Sequence, residues 1–178
     1  IFLGCTNDES YDNSDFVSEV NTALPNSNTV PTIPFVVVGS SGSIYTSSDG
    51  INWDNKSIEN EYIPNLNTVT YGNGIFVALA EHDSIYYSTD ANNWTRTSSG
   101  GNGNIYDVEY SNGVFVAVGQ SGKIARSTDG KIWMEITNSG IGSEPKAITY
   151  GGSYFYTHAD GKSHFSIDGL LWNNTANI

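Results

Sequence analysis

The phrase Ser-x-Asp-(Gly/Ala)-x-x-Trp occurs four times in this chain, and it constrains the architecture before any other feature is read. The copies run from Ser47 to Trp53, Ser88 to Trp94, Ser127 to Trp133 and Ser166 to Trp172, with the acid at Asp49, Asp90, Asp129 and Asp168. All four Trp residues of the protein occupy this slot, about 40 residues apart. A fixed period of that length means one supersecondary unit stacked several times, each copy covering the apolar face of its neighbour.

Aligned on Trp, every copy carries an aromatic upstream: Phe35, Phe76, Phe115 and Tyr154. In three copies it opens an apolar run (35–38, 76–79 and 115–118). A short, Gly-bounded run of this kind predicts a strand buried on both faces. Before it, 69–71, 108–110 and 148–150 read as strands ending in Gly and Asn turns, which supply the positive φ of tight hairpins. A third strand is predicted over 43–47, 84–88, 123–127 and 162–166; the Asp-containing turn follows, and Trp opens a fourth strand. Four hairpin-linked strands per repeat make a β-propeller blade. The predicted fold is therefore all-β, with four-stranded antiparallel blades at 28–58, 66–98, 105–138 and 146–178, preceded by a signal remnant and disordered acidic tether over 1–27. The first blade opens on Asn28-Thr29-Val30, an echo of Asn67-Thr68-Val69, with Pro31 and Pro34 making that strand irregular. Four blades either close as a small ring or form an arc of a larger one, whose open edges favour self-association.

With the strands in register, the phrase resembles the Asp-box, or BNR repeat, of sialidases, sortilin-type receptors and photosystem II assembly-factor-like proteins. The resemblance covers about 150 residues. Two features depart from it. Gly or Ala follows the Asp immediately, where the usual box places Gly two residues on, and Asp-box propellers generally have six or more blades. The resemblance implies a structural, peripheral role for Ser47, Asp49, Trp53 and their counterparts Ser88, Asp90, Trp94, Ser127, Asp129, Trp133, Ser166, Asp168 and Trp172. The chemistry agrees: a short polar side chain in such a turn accepts backbone N–H groups, and the Trp supplies apolar area. Sialidase chemistry would imply three arginines on a substrate carboxylate, a Tyr–Glu pair and an Asp acid. This chain has only Arg96 and Arg126, too few for that triad. A glycoside hydrolase working with two carboxylates stays open as the alternative.

The net charge of −12 and pI near 4.3 argue against nucleic acid and anionic lipid as partners. No apolar run reaches the ~18 residues of a membrane-spanning helix. The single cysteine, Cys5, excludes an internal disulfide. Ile1-Phe2-Leu3-Gly4-Cys5 resembles the end of a bacterial lipoprotein signal, and the following segment carries Asp8, Glu9, Asp12, Asp15 and Glu19 in a polar context suited to a solvated tether. That resemblance implies lipidation at Cys5 and an extracytoplasmic protein, anchored to the cell envelope or secreted. The plain alternative is a lone Cys in a frayed terminus.

Blade topology puts the loops between second and third strands on the same face as the connections between blades. In blades one and three these loops are bland, Gly39-Ser40-Ser41-Gly42 and Gly119-Gln120-Ser121-Gly122. In blades two and four they carry Glu81, His82 and Asp83, and His158 and Asp160. A closed four-blade ring would bring those five around one opening, where His and carboxylates can bind a ligand or exchange protons. Tyr62 and Tyr106 in the connections add to a recognition surface. The expectation is a binding or assembly module for a glycan or an envelope protein, with no catalytic residue, metal or cofactor assigned.

Overall fold

The computed structural model describes residues 33–59, 64–101 and 103–175. Among them the regular secondary structure is almost wholly strand, arranged as four antiparallel sheets. Blade one holds β1 (Phe35–Val38), β2 (Ile44–Ser47) and β3 (Asp54–Asn55). Blade two holds β4 (Leu66–Gly72), β5 (Ile75–Ala80), β6 (Ser84–Ser88) and β7 (Thr95–Ser98). Blade three holds β8 (Ile105–Ser111), β9 (Val114–Gly119), β10 (Lys123–Ser127) and β11 (Met134–Glu135). Blade four holds β12 (Ile148–Gly151), β13 (Tyr154–Ala159), β14 (Lys162–Ser166) and β15 (Asn173–Asn174). Strands consecutive in sequence are adjacent in every sheet, the up-and-down order of a propeller blade. The opening strand read over 28–30, and Cys5, lie outside the described residues. Each fourth strand starts just after its Trp rather than on it.

The ladders correct one register. The Ser that begins each Asp turn pairs with Phe35, Phe76, Phe115 and Phe155 in the four blades. The fourth aromatic is thus Phe155, not Tyr154. Its second-to-third loop is shorter: Ala159 pairs with Lys162 across Asp160-Gly161, whereas Gly119 pairs with Lys123 across three residues. Asp160 and Gly161 both have positive φ (53° and 71°), the two-residue hairpin geometry that Asp-Gly favours. Counting back from Trp therefore overshoots by one. The aromatic pairs agree, Tyr150–Phe155 at 5.0 Å matching Tyr110–Phe115 and Tyr71–Phe76 at 4.5 Å.

Alternation along each strand gives a blade two different faces. The back face, toward the preceding blade, presents Phe76, Ala78, Ala80 and Tyr86 in blade two, and Phe115, Ala117, Ala125 and Trp133 in blade three. The front face presents Ile75, Val77, Leu79 and Ile85 in blade two, and Val114, Val116, Val118 and Ile124 in blade three. Aromatics on one side meet aliphatics on the other, and each such side chain, once buried, contributes roughly 1.5–3 kcal/mol. The seams also carry polar ties: Arg126 Nε donates to the Asp168 carbonyl (2.7 Å) and Thr97 Oγ1 to the Lys131 carbonyl (3.0 Å).

The terminal blades depart from this pattern. β5 and β9 are buried at all positions, but β1 and β13 alternate. Phe35 and Val37 are each 46% exposed, so the 35–38 run is not buried on both faces as its composition predicts. The reason is that, among the described residues, no blade lies behind blade one. Tyr156 on the front of blade four is 38% exposed for the same reason. The described blades form a series with three seams, and the front of blade four does not cover the back of blade one.

Candidate functional site

In each of the four Asp turns the carboxylate bonds within its own turn. In the first, Ser47 Oγ donates to Asp49 Oδ1 (2.9 Å), and that oxygen also accepts the Ile51 and Asn52 amides (2.8 Å each). Trp53 Nε1 donates to the Gly50 carbonyl (3.2 Å). The same bonds recur around Asp90 and Asp129, with Trp94 and Trp133 on the Ala91 and Gly130 carbonyls. Asp168 accepts the Leu170 amide (2.9 Å), and Trp172 donates to Gly169. These bonds hold the carboxyls of Asp49 and Asp90 well below the ordinary 3.8; the Asn52 amide is the largest cause for Asp49 and the Asn93 amide for Asp90. Asp129 is lowered chiefly by the Ile132 amide.

A carboxyl whose folded pKa is depressed stabilises the fold above its unfolded value and loses that contribution as pH falls through the folded value. Urea-unfolding stability is therefore expected to decline as pH drops below about 4. An Asp49→Asn/Asp90→Asn double variant should show a shallower decline; an unchanged slope would remove these turns as its source.

The opposite face holds the polar loops, and there the sequence-predicted residues separate. Asp83 is buried: it pairs with Lys123 Nζ (2.6 Å) of blade three and accepts from the Ser99 hydroxyl and the Gly101 amide (3.3 Å). It ties the seam between blades two and three and does not face solvent. Glu81 is half-buried and accepts from Asn65 Nδ2 (3.1 Å). His82 is exposed, and its amide donates to Asn104 Oδ1 (2.9 Å). His158 belongs to β13, not to a loop; its Nδ1 lies 3.5 Å from Ser163 Oγ on the free front of blade four. Asp160 sits exposed at its hairpin turn, against Gly142 of the connection from blade three. Among the described residues no three His, Cys, Asp or Glu side chains come together as a metal-binding group. Tyr62 lies outside the described residues.

What the loop face does bring together is a rigid rim. The residues leading into blades two and three lock the loop of the blade before: Asn65 Oδ1 accepts the Ser41 amide (3.1 Å) and Asn104 Oδ1 that of His82, while Gln120 Oε1, in the loop of blade three, accepts the Asn104 amide (3.2 Å). On this rim Lys146 Nζ stands 3.9 Å from the centre of the half-buried Tyr106 ring and 2.5 Å from Glu144 Oε2. Both contacts raise the Lys146 pKa, Glu144 being the larger cause. Beside the rim is a hollow of about 330 Å³, lined by residues of the Gln120–Lys123 loop and of the 135–141 segment.

Tyr106, read from the sequence as a connection residue, belongs to β8, and sequence reasoning missed Lys146, Glu144 and the inner-strand acids Asp107 and Glu109. Asp107 Oδ2 accepts the Ile148 amide (2.9 Å), and Oδ1 accepts from Thr68 Oγ1 (3.3 Å), so it links three blades. Glu109, two residues along β8, is half-buried, and its carboxyl is pushed up by burial first and by the charge of Asp107 second. The hidden signal was position: Asp107 and Glu109 take the places of Thr68 and Thr70 in blade two. An acid with a raised folded pKa costs stability once ionised. Glu109→Gln should raise the melting temperature by about 1–2 °C at pH 7 and leave it unchanged near pH 4; equal effects at both would exclude ionisation as the cause.

No family model matches the chain, and no curated protein does. Solved structures do. YCF48 bound to D1 peptide is similar at 15% identity and a TM-score of 0.63, over 80% of this chain and 51% of that one. Virginiamycin B lyase from Staphylococcus aureus is similar at 16% identity and a TM-score of 0.61, over 85% of this chain and 57% of the other. The computationally designed Ika8 protein is similar at 14% identity and a TM-score of 0.62, over 80% and 46%. This chain thus spans about half the length of each. YCF48 and virginiamycin B lyase are β-propellers, and the likeness is one of fold: the described residues form four blades of a β-propeller.

Proposed function

We propose that this protein is a binding or assembly module that takes an extended peptide segment of a protein partner on its loop face. The observation that carries the reading is the loop face itself, which presents an aromatic–cation pair (Tyr106, Lys146) with Glu144, the loop residues Glu81 and His82 tied to Asn65 and Asn104, and an open hollow at the Gln120–Lys123 loop. Rigid Tyr with flanking Asn, Ser and Gly is an economical recognition surface, since little side-chain freedom is lost on binding. A fold shared with YCF48, which has been solved with a peptide bound, supports a peptide as the ligand. We assign the repeat to the Asp-box class on its four Ser-x-Asp turns. The apolar residues leading to Cys5 and the acidic stretch after it support an extracytoplasmic, lipid-anchored setting; mass spectrometry of the membrane fraction for acylated Cys5 tests it.

The binding test is a peptide display selection against the full chain, run beside a glycan array and a glycoside-hydrolysis screen. Selected peptides are expected to lose about tenfold in affinity in Tyr106→Ala and in Lys146→Ala, with melting temperature unchanged. Glycan binding without peptide binding would replace the ligand class. One observation favours a second reading, a glycoside hydrolase. The raised carboxyl of Glu109 beside Asp107 is shifted in the direction a general acid needs. Turnover abolished by Glu109→Gln would establish that reading.

A further inference from the structure

The two free blade faces are opposite halves of one seam. Every internal seam joins an aromatic back face to the front face of the blade before it. Among the described residues blade one keeps the back-face set uncovered: Phe35, Val37, Tyr45 and Trp53 stand where blade two has the buried Phe76, Ala78 and Tyr86 and the half-buried Trp94. The Asp-turn glycines report the same vacancy. A Cβ on Gly130 would lie 2.9 Å from Val77 Cγ2 of blade two, and one on Gly169 would lie 2.6 Å from Val116 Cγ2 of blade three. At Gly50 it would meet only Phe35 of its own blade, at 3.9 Å. In blade four the residue in the Val77 and Val116 position is the exposed Tyr156, which forms an aromatic group with the half-buried Tyr154 and Phe165 (ring centres 5.6–6.4 Å apart). Beside it is a second hollow of about 280 Å³, walled by Thr149, Tyr156, His158 and Ser163.

We infer that two copies of this chain associate head to tail, the front of blade four of each seated on the back of blade one of the other. Such an interface is heterologous, and with two copies it occurs twice about a two-fold axis, closing a ring of eight blades from two sets of four. Eight is within the range propellers adopt. The partner is argued from the seam's own continuity: front and back faces recognise each other three times within the chain, and a second copy supplies the missing half of each without a new kind of contact. Tyr156, Tyr154 and Phe165 fit an interface between chains, where Tyr and Phe are enriched relative to other surface. The inference stands apart from the proposed ligand, which uses the loop face.

Sedimentation and native mass spectrometry of the full chain decide it. The expected species has twice the 19.2 kDa mass of one chain. Val37→Glu and Tyr156→Glu each place a charge in the seam and should weaken association by at least about 100-fold, while each monomer keeps its circular dichroism. Mixing the two variants restores one intact seam, because the good back face of one meets the good front face of the other, and a one-to-one heterodimer should reappear. Should the glutamates perturb folding, Tyr45→Lys, on an exposed side chain, repeats the test. A monomer at tens of micromolar overturns the inference, as does a dimer indifferent to either substitution. A mixture that stays monomeric excludes the head-to-tail arrangement.

Discussion

Asp83→Ala should cost about 3–5 kcal/mol of unfolding free energy, because it strands a buried ammonium. Lys123 and Asp83 have side chains only 3% and 9% exposed, and they come from different blades. Removing the carboxylate also leaves the Ser99 hydroxyl and the Gly101 amide without their acceptor. The pair itself need not add net stability, since desolvating both charges offsets most of their attraction. A double variant, Asp83→Leu/Lys123→Met, should therefore recover most of the loss. Urea titration of the single and double variants measures both quantities. A single-variant loss under about 1 kcal/mol would show that the pair behaves as a solvated one.

The second large effect compares the same aromatic in two blades. Phe115 is fully buried between blades two and three, beside Tyr110 (4.5 Å) and Trp133 (6.2 Å). Phe115→Ala removes that ring and leaves a cavity, at an expected cost of about 3–5 kcal/mol. Phe35, the equivalent in blade one, is 46% exposed, and Phe35→Ala should cost the isolated chain under about 1 kcal/mol. Denaturation at a dilution where the chain is monomeric separates folding from association. Equal losses at the two positions would mean that blade one's back face is covered within a single chain.

The contrast between these positions shows what could be read in advance. The blades were legible because their determinants are local: alternation, hairpin turns and the Asp turn each span fewer than ten residues, and Phe76 or Phe115 announces a strand whichever blade it joins. The register of blade four was not, because a hairpin one residue shorter moves every side chain on one strand to the other face. That shift exchanges Tyr154 for Phe155 as the seam residue. Burial at the ends was equally illegible, since Phe35 and Phe76 look alike in sequence and differ only in what stands behind them. For the site, loop position pointed to Glu81 and His82, but it did not show that Tyr106 belongs to β8, nor the partner that takes Asp83 out of play. Lys123 is 40 residues away, and only the stacking of blades brings it near. Lys146 escaped notice because a lone lysine in a loop carries no pattern.

The middle seam acquires a further consequence from its ion pair. In a linear array, stability is a sum of unit and nearest-neighbour terms, so the outermost units, with a single neighbour, open at lowest free energy. Hydrogen exchange in the lone chain would then fall off inward, fastest at β1 and β15 and slowest where Asp83 meets Lys123. That contact acts as a keystone: it sits at the one boundary that fraying from either end reaches last, and it couples blades two and three into a single cooperative block onto which the outer blades fold.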